Sequence, residues 1–216
     1  MNAVTSNLDV FRSGLTVTVE LAAWVFALSA ALGVLLAVCR ICPVPPLRWA
    51  AAVHVAVFRS VPLLVLLTVF VFGLPEIGLL YPLFWTAVTA MSLYWSAFFC
   101  EAVRSGIRSV PLGQVEAARA LGLRTGQSMR YLILPQALRA MVQPLANLLI
   151  AAVLGSSLAA AVGVTTELTG QTELLDQQYA QPLVTYGAAA ACYVALTLGI
   201  GRLAGFADRK ARVHTT

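Results

Sequence analysis

The chain has 216 residues, 60% hydrophobic and 11% charged, with a mean hydropathy of +0.85; a soluble domain carries about 25% charged residues, so a water-soluble fold is excluded and an integral membrane protein is expected. Basic residues outnumber acidic ones 14 to 9, but they stand at the ends of apolar runs and in one loop rather than along one face, which excludes a nucleic-acid surface. Lys210 is the only lysine, so no Gly-x-x-x-x-Gly-Lys-Ser/Thr loop exists to cradle ATP phosphates.

Residues 1–14 are short and polar, and the run 15–39 is long enough to cross about 30 Å of hydrocarbon at 1.5 Å per residue. It reads as an uncleaved first span with Glu20 at its outer interface. Arg40 and Arg48 bracket Pro43, Pro45 and Pro46, which stop the helix at the inner face. Cys39-x-x-Cys42 sits at this edge. With no second pair and no nearby histidine, all four thiols (Cys39, Cys42, Cys100, Cys192) read as small apolar residues. Residues 47–58 are half apolar and read as lying at the inner surface.

A second span, 59–75, borrows length from that segment and begins with Phe58-Arg59-Ser60-Val61-Pro62-Leu63. Arg59 there is either a gating or coupling residue or a positive-inside anchor. The turn Gly73-Leu74-Pro75-Glu76-Ile77-Gly78 lacks basic residues and is an outer loop. The third span, 81–103, places Tyr81 and Trp85 in the outer aromatic belt and Trp95 deeper. Glu101 and Arg104 fall on one helix face, where they can pair; Glu101 is either that anchor or a residue of a membrane pathway.

Residues 109–139 form the longest polar interval. Arg119, Arg124, Arg130 and Arg139 oppose only Glu116, which places the loop in the cytoplasm. One helix is predicted after Pro111, a break at Gly122, and a second helix running to Pro135. The fourth span, 141–164, is interrupted by Gly155-Ser156-Ser157, read either as helix packing or as a polar site. Residues 164–181 carry Glu167, Glu173 and Asp176 with no basic residue, and form an outer loop. The fifth span, 182–203, ends inside at Arg202, Arg209, Lys210 and Arg212. The termini therefore lie on opposite sides, N-terminus out and C-terminus in. His54 and His214 read as structural or terminal residues without partners.

Glu116-Ala117-Ala118, Gly122 and Leu134-Pro135-Gln136-Ala137 together resemble the cytoplasmic EAA loop of ABC-importer permease subunits. Gly113-Gln114, Ala120-Leu121, the Phe58-Arg59 stretch and Ala97-Phe98-Phe99-Cys100-Glu101-Ala102-Val103-Arg104-Ser105-Gly106-Ile107 are similar to the polar amino acid uptake branch of that family. The resemblance implies an all-α, five-helix type I importer permease fold, working as a dimer with a copy or a paralogue. The loop would be a coupling helix, with Glu116, Ala117, Ala118, Leu121 and Gly122 meeting an ATPase subunit that binds ATP and magnesium; this chain would hold no cofactor or metal. Ala117 and Ala118 would let the partner approach closely, and Glu116 would cap the helix start or meet a basic group.

A solute-binding protein would deliver an amino acid to a path that includes Glu101, Arg59, Gly155, Ser156 and Ser157. Gly163-Val164-Thr165-Thr166-Glu167-Leu168 resembles the motif that follows the fourth span in relatives. The family's Lys-Asp-Thr-Ser-Leu is Leu154-Gly155-Ser156-Ser157-Leu158 here, and a glutamate often found two residues before Phe-Arg is Ala56. Both missing carboxylates favour a neutral or acidic amino acid over a cationic one. A membrane enzyme is disfavoured because Ser156 and Ser157 have no histidine or lysine base in a plausible span. A permease for another small solute, or an ATP-independent carrier, are the alternatives; the carrier would not need the loop pattern.

Overall fold

The computed structural model describes residue 4 and residues 6–213, with side chains through residue 210. His214 and the side chain of Arg212 lie outside the described residues. The elements are helical: α1 (Leu8–Ile41), α2 (Pro45–Ser60), α3 (Leu63–Glu76), α4 (Leu83–Arg108), α5 (Leu112–Ala120), α6 (Thr125–Val162), α7 (Leu168–Tyr179) and α8 (Pro182–Val213). By length and composition α1, α4, α6 and α8 can each cross a bilayer, and α2 with α3 makes a fifth candidate bent by 105°. The bend has a local cause: Val61 precedes Pro62 and is extended (φ −97°, ψ 133°), because the proline ring disfavours helical geometry in the residue before it.

The core is centred on α4. Leu21 and Val25 of α1, Leu63 and Leu67 of α3, Met91 and its neighbours on α4, and Ala152 of α6 form the main apolar cluster. Between α1 and α4 the close approach depends on Gly33, where a Cβ would stand 2.9 Å from the carbonyl oxygen of Ser96 and collide with Phe99. Small residues let helix backbones meet where lipid supplies no hydrophobic drive. Gly106 serves the same purpose between α4 and α6, its missing Cβ facing Met141 and the Ala137 carbonyl.

Two places depart from the predicted segmentation. Helix α1 starts at Leu8, not near residue 15; its 34 residues span about 51 Å, and the extra turns pack Phe11 against Leu168 and Leu175 of α7. The second loop helix does not stop at Pro135. It runs unbroken through the fourth span, as α6 of 38 residues. A π turn at Met129–Ile133 directly precedes Leu134-Pro135, and another at Val69–Gly73 precedes Leu74-Pro75 in α3. Proline lacks an N–H and clashes with the carbonyl four residues back; the wider π turn removes the need for that bond, so both helices continue.

His54 is not partnerless. Its Nε2 lies 3.0 Å from Ser96 Oγ and its ring packs on Phe58. Helix α2 buries Ala51 and Val55 against α1 and α4, while Trp49, Val53 and Val57 are exposed on its other face.

Candidate functional site

Three groups of residues stand out: the elbow at the arginine-rich end of the bundle, a charged cleft on that same side from which a seam leads inward, and a network at the opposite, acidic end. At the first, α5 ends where Leu121 donates to Ala117 and Gly122 donates to Arg119. Gly122 takes φ +80°, with open space around its missing Cβ. The left-handed region favours glycine because other residues strain there. The chain then re-enters a helix where Gln127 Oε1 accepts from Arg124 N at 2.9 Å. The elbow is tied to α6 by Gln136 Nε2 donating to Gln114 Oε1 at 2.8 Å.

On this elbow the predicted residues divide. Glu116, Ala117, Leu121 and Gly122 are exposed, and Leu121 is 83% exposed although apolar. Ala118 is buried, at 5%; it faces this chain's own packing, so it is not an open face for a partner. Glu116 does not cap the helix either: α5 has no side-chain cap, and Pro111 occupies its N-cap. Leu112, 79% exposed, lies beside these residues and adds a second apolar side chain that the motif does not name. An exposed leucine in an otherwise polar loop is the signal that points to it.

Towards the same end, the structure brings Glu101 and Arg59 together in one cleft, and contacts lead from it inward to Gly155. Glu101 Oε1 accepts from both Arg104 (3.2 Å) and Arg40. The Arg104 pair follows from spacing along one helix; Arg40, 61 positions away, does not. Arg40, Glu101, Arg59, Ser60 and Ala56 line one cleft of about 420 Å³. The Arg59 guanidinium lies 5.5 Å from the Phe98 ring centre, Phe98 packs on Trp95 at 5.4 Å, and a Cβ on Gly155 would sit 3.4 Å from Trp95. Arg59, Phe98, Trp95 and Gly155 thus form one continuous seam between α2, α4 and α6. The indole Nε1 of Trp95 is buried without a hydrogen-bond partner. Buried donors are ordinarily satisfied, so this one marks a polar position that composition alone did not reveal.

Ser156 and Ser157 stand apart from the seam's polar groups. Ser156 is fully buried, and its Oγ donates to Val153 O at 2.7 Å; Ser157 Oγ donates to Leu154 O at the same distance. Both hydroxyls bond to the preceding turn, where α6 tightens into the 3₁₀ turns Ser156–Val162, and that of Ser156 also lies beside the Tyr193 hydroxyl.

At the acidic end, the polar stretch read as a loop contains helix α7, and Glu167 at its start is fully buried. Its carboxylate accepts from Gly170 N (2.6 Å), Tyr193 Oη (3.0 Å) and Thr18 Oγ1 (3.4 Å). Thr18 Oγ1 in turn accepts from Leu168 N at 3.1 Å. Burial pushes the Glu167 carboxyl above the usual carboxylate range, against the opposing pull of backbone N–H groups at Thr169 and Gly170 and of the two hydroxyls. This network joins α1, α7 and α8.

The candidate spans, the exposed elbow at the arginine-rich end and the seam leading inward from it fit a multi-pass membrane transport subunit. The chain belongs to the ABC-type permeases described as the binding-protein-dependent transport system inner membrane component, whose family pattern matches residues 29–213. It is 36% identical over 192 residues to the "Probable glutamine ABC transporter permease protein GlnM" of Bacillus subtilis (strain 168), covering 89% of this chain and 88% of that one. To the "Arginine transport system permease protein ArtQ" of the same organism it is 32% identical, covering 86% of each. The "Crystal structure of an amino acid ABC transporter with histidines" superposes with a TM-score of 0.92 at 30% identity, covering 96% of both chains. The chain is thus a permease subunit, and ATP hydrolysis belongs to a separate subunit.

Proposed function

We propose that this permease carries a neutral or acidic amino acid, moved along the seam from Gly155 past Trp95 to Arg59 and driven through the elbow by an ATPase pair. The observation that carries the cargo reading is the charge of the seam. Its only carboxylate, Glu101, is matched by Arg40 and Arg104, while Arg59 has no carboxylate partner among the described residues. No acid stands at Ala56 or Gly155. A cationic side chain would meet net positive charge there; an uncharged or acidic one would meet Arg59, beside the buried, unpartnered indole N–H of Trp95 that an opening of the seam would make available.

Five crossings, with the N-terminus outside and residues 109–139 in the cytoplasm, satisfy the positive-inside pattern. Two such subunits, identical or paralogous, enclose the path. A solute-binding protein meets the acidic end. Glu116, Ala117, Leu112 and Leu121 face the ATPase, with Ala118 and Gly122 shaping the elbow that presents them. ATP-driven closure moves the two elbows together and biases the bundle between inward- and outward-open states.

The test is uptake by the reconstituted transporter with its own binding protein. Glutamine or glutamate should stimulate both transport and ATP hydrolysis, and arginine should not. The double change Ala56→Glu with Gly155→Asp should shift preference towards the cation. Equal transport of arginine by the unaltered protein would overturn the cargo reading and leave the coupling reading standing.

A further inference from the structure

Helix α8 is the least enclosed of the long helices, with only 11% of its apolar window buried. Along its side towards α6 runs a groove of about 550 Å³, lined by Ile150 and by Thr197, Leu198, Gly201, Arg202, Gly205 and Arg209. We propose that this groove holds an anionic phospholipid of the inner leaflet, with its phosphate on Arg202 and Arg209 and an acyl chain over the glycines.

Four observations carry the assignment. The volume lies within the range of about 300–1,000 Å³ typical of ligand clefts. The groove is apolar at one end and cationic at the other. Thr197 Oγ1 is committed to Tyr193 O at 2.9 Å, so its hydroxyl adds no free donor to the apolar part. Arg202 and Arg209 are exposed, and neither is ion-paired with a described carboxylate.

The level in the membrane also fits. About 20 residues of helix cross the hydrocarbon, so a span entering near Pro182 brings Arg202 to the headgroup boundary. Arg209 lies seven residues beyond, and long arginine side chains reach along a helix to keep their charge at that level. Basic clefts between membrane helices on the cytoplasmic side are recognised headgroup sites. The floor permits close approach, because a Cβ at Gly201 or Gly205 would meet nothing within 4 Å. A second copy of the chain fits this groove less well. A helix of a second copy packed here would have to cover two arginines that have no carboxylate partner among the described residues, whereas a lipid phosphate supplies the opposite charge.

The experiment is native mass spectrometry of the assembled transporter, delipidated and then titrated with phosphatidylglycerol or phosphatidylcholine of identical chains, or with inorganic phosphate. The expected result is one tightly retained phosphatidylglycerol per permease, no comparable retention of phosphatidylcholine, and no competition by millimolar phosphate. Arg202→Gln with Arg209→Gln should weaken retention about thirtyfold, the combined weight of two juxtamembrane charges. Gly201→Leu with Gly205→Leu should reduce it while both arginines remain. Equal retention of the two lipids, or retention unaffected by the arginine changes, overturns the proposal. So does loss of the permease dimer in the leucine variant with lipid binding intact, which would give the groove to a partner helix. Effective competition by phosphate alone would make it a free-anion site and overturn the lipid assignment.

Discussion

The two ends of the bundle are held by opposite means. At the acidic end, Glu167 is fully buried and collects donors from α7, α1 and α8. At the basic end, the elbow is tied back by an exposed side-chain pair, Gln114 with Gln136, and by the burial of Ala118. Buried hydrogen bonds to a charged or desolvated group are costly to break, whereas exposed ones exchange readily with water. The difference teaches where motion is cheap. One end is stapled so that three helices keep their relation, and the other holds a short helix with exposed leucines by an exposed side-chain bond and one small buried residue.

The largest effect expected is at the staple. Glu167→Ala would strand the Gly170 N–H and the Thr18 hydroxyl in a buried site and leave Tyr193 with Thr169 and Ser156, at a cost on the order of 3 kcal/mol. The check is the thermal midpoint of the purified permease in detergent. Glu167→Gln keeps the shape and should cost less, and it isolates the pH dependence. Because burial raises the Glu167 carboxyl above its unfolded value, its contribution is full below the unfolded pKa of about 4.3. It is lost as pH rises through the raised folded value. The unaltered protein should therefore lose stability over that window relative to Glu167→Gln, whose amide cannot ionise. Parallel midpoints across the range would show that the staple does not feel its buried charge.

The next effect separates docking from folding at the elbow. Leu121→Glu changes an exposed side chain, so the permease should keep its thermal midpoint. If Leu121 is an anchor for the ATPase, the assembly should lose on the order of 2 kcal/mol of affinity, as hot-spot positions do, with uptake falling in step. Ala118→Arg should behave differently: the guanidinium has no room in the packed elbow, so local order falls together with coupling. Hydrogen exchange over residues 112–123 distinguishes the two. Unchanged assembly in Leu121→Glu would remove Leu121 from the docking face and break the contrast between a rigid and a movable end.

Much of this arrangement was legible in the sequence, and the exceptions have physical reasons. The apolar runs announce the long helices, and the arginines announce which end is which. Pro111 and Gly122 punctuate α5 because each residue fits one end of a helix and not the other. Pro135 misleads as a stop signal because the π turn before it absorbs the missing hydrogen bond. A polar stretch such as 164–181 looks like a loop until α1 and α8 are there to bury Glu167. The inward phase of Ala118 and the pairing of Arg40 with Glu101 are tertiary facts, set by neighbours that no local pattern names. The seam is half legible: Glu101 and Arg59 stand out as charges in apolar surroundings, while the unpartnered N–H of Trp95 becomes visible only when its surroundings are known.

The smallest effect tests whether the shape of the elbow matters apart from its contacts. Gly122 has open space around its missing Cβ, so Gly122→Ala adds no collision. It does force a Cβ into the left-handed region at φ +80°, worth about 1 kcal/mol of strain. That strain is local, and the midpoint of the whole permease should hardly move. The elbow can relieve it by reopening the turn between α5 and α6, which shifts Leu112 and Leu121 relative to the bundle without altering either. Reduced transport per ATP hydrolysed, with assembly preserved, is the expected result. Gly122→Asn should be milder, because asparagine tolerates this conformation better than alanine. If both variants transport normally, the elbow's angle is immaterial, and its exposed leucines alone must carry the coupling.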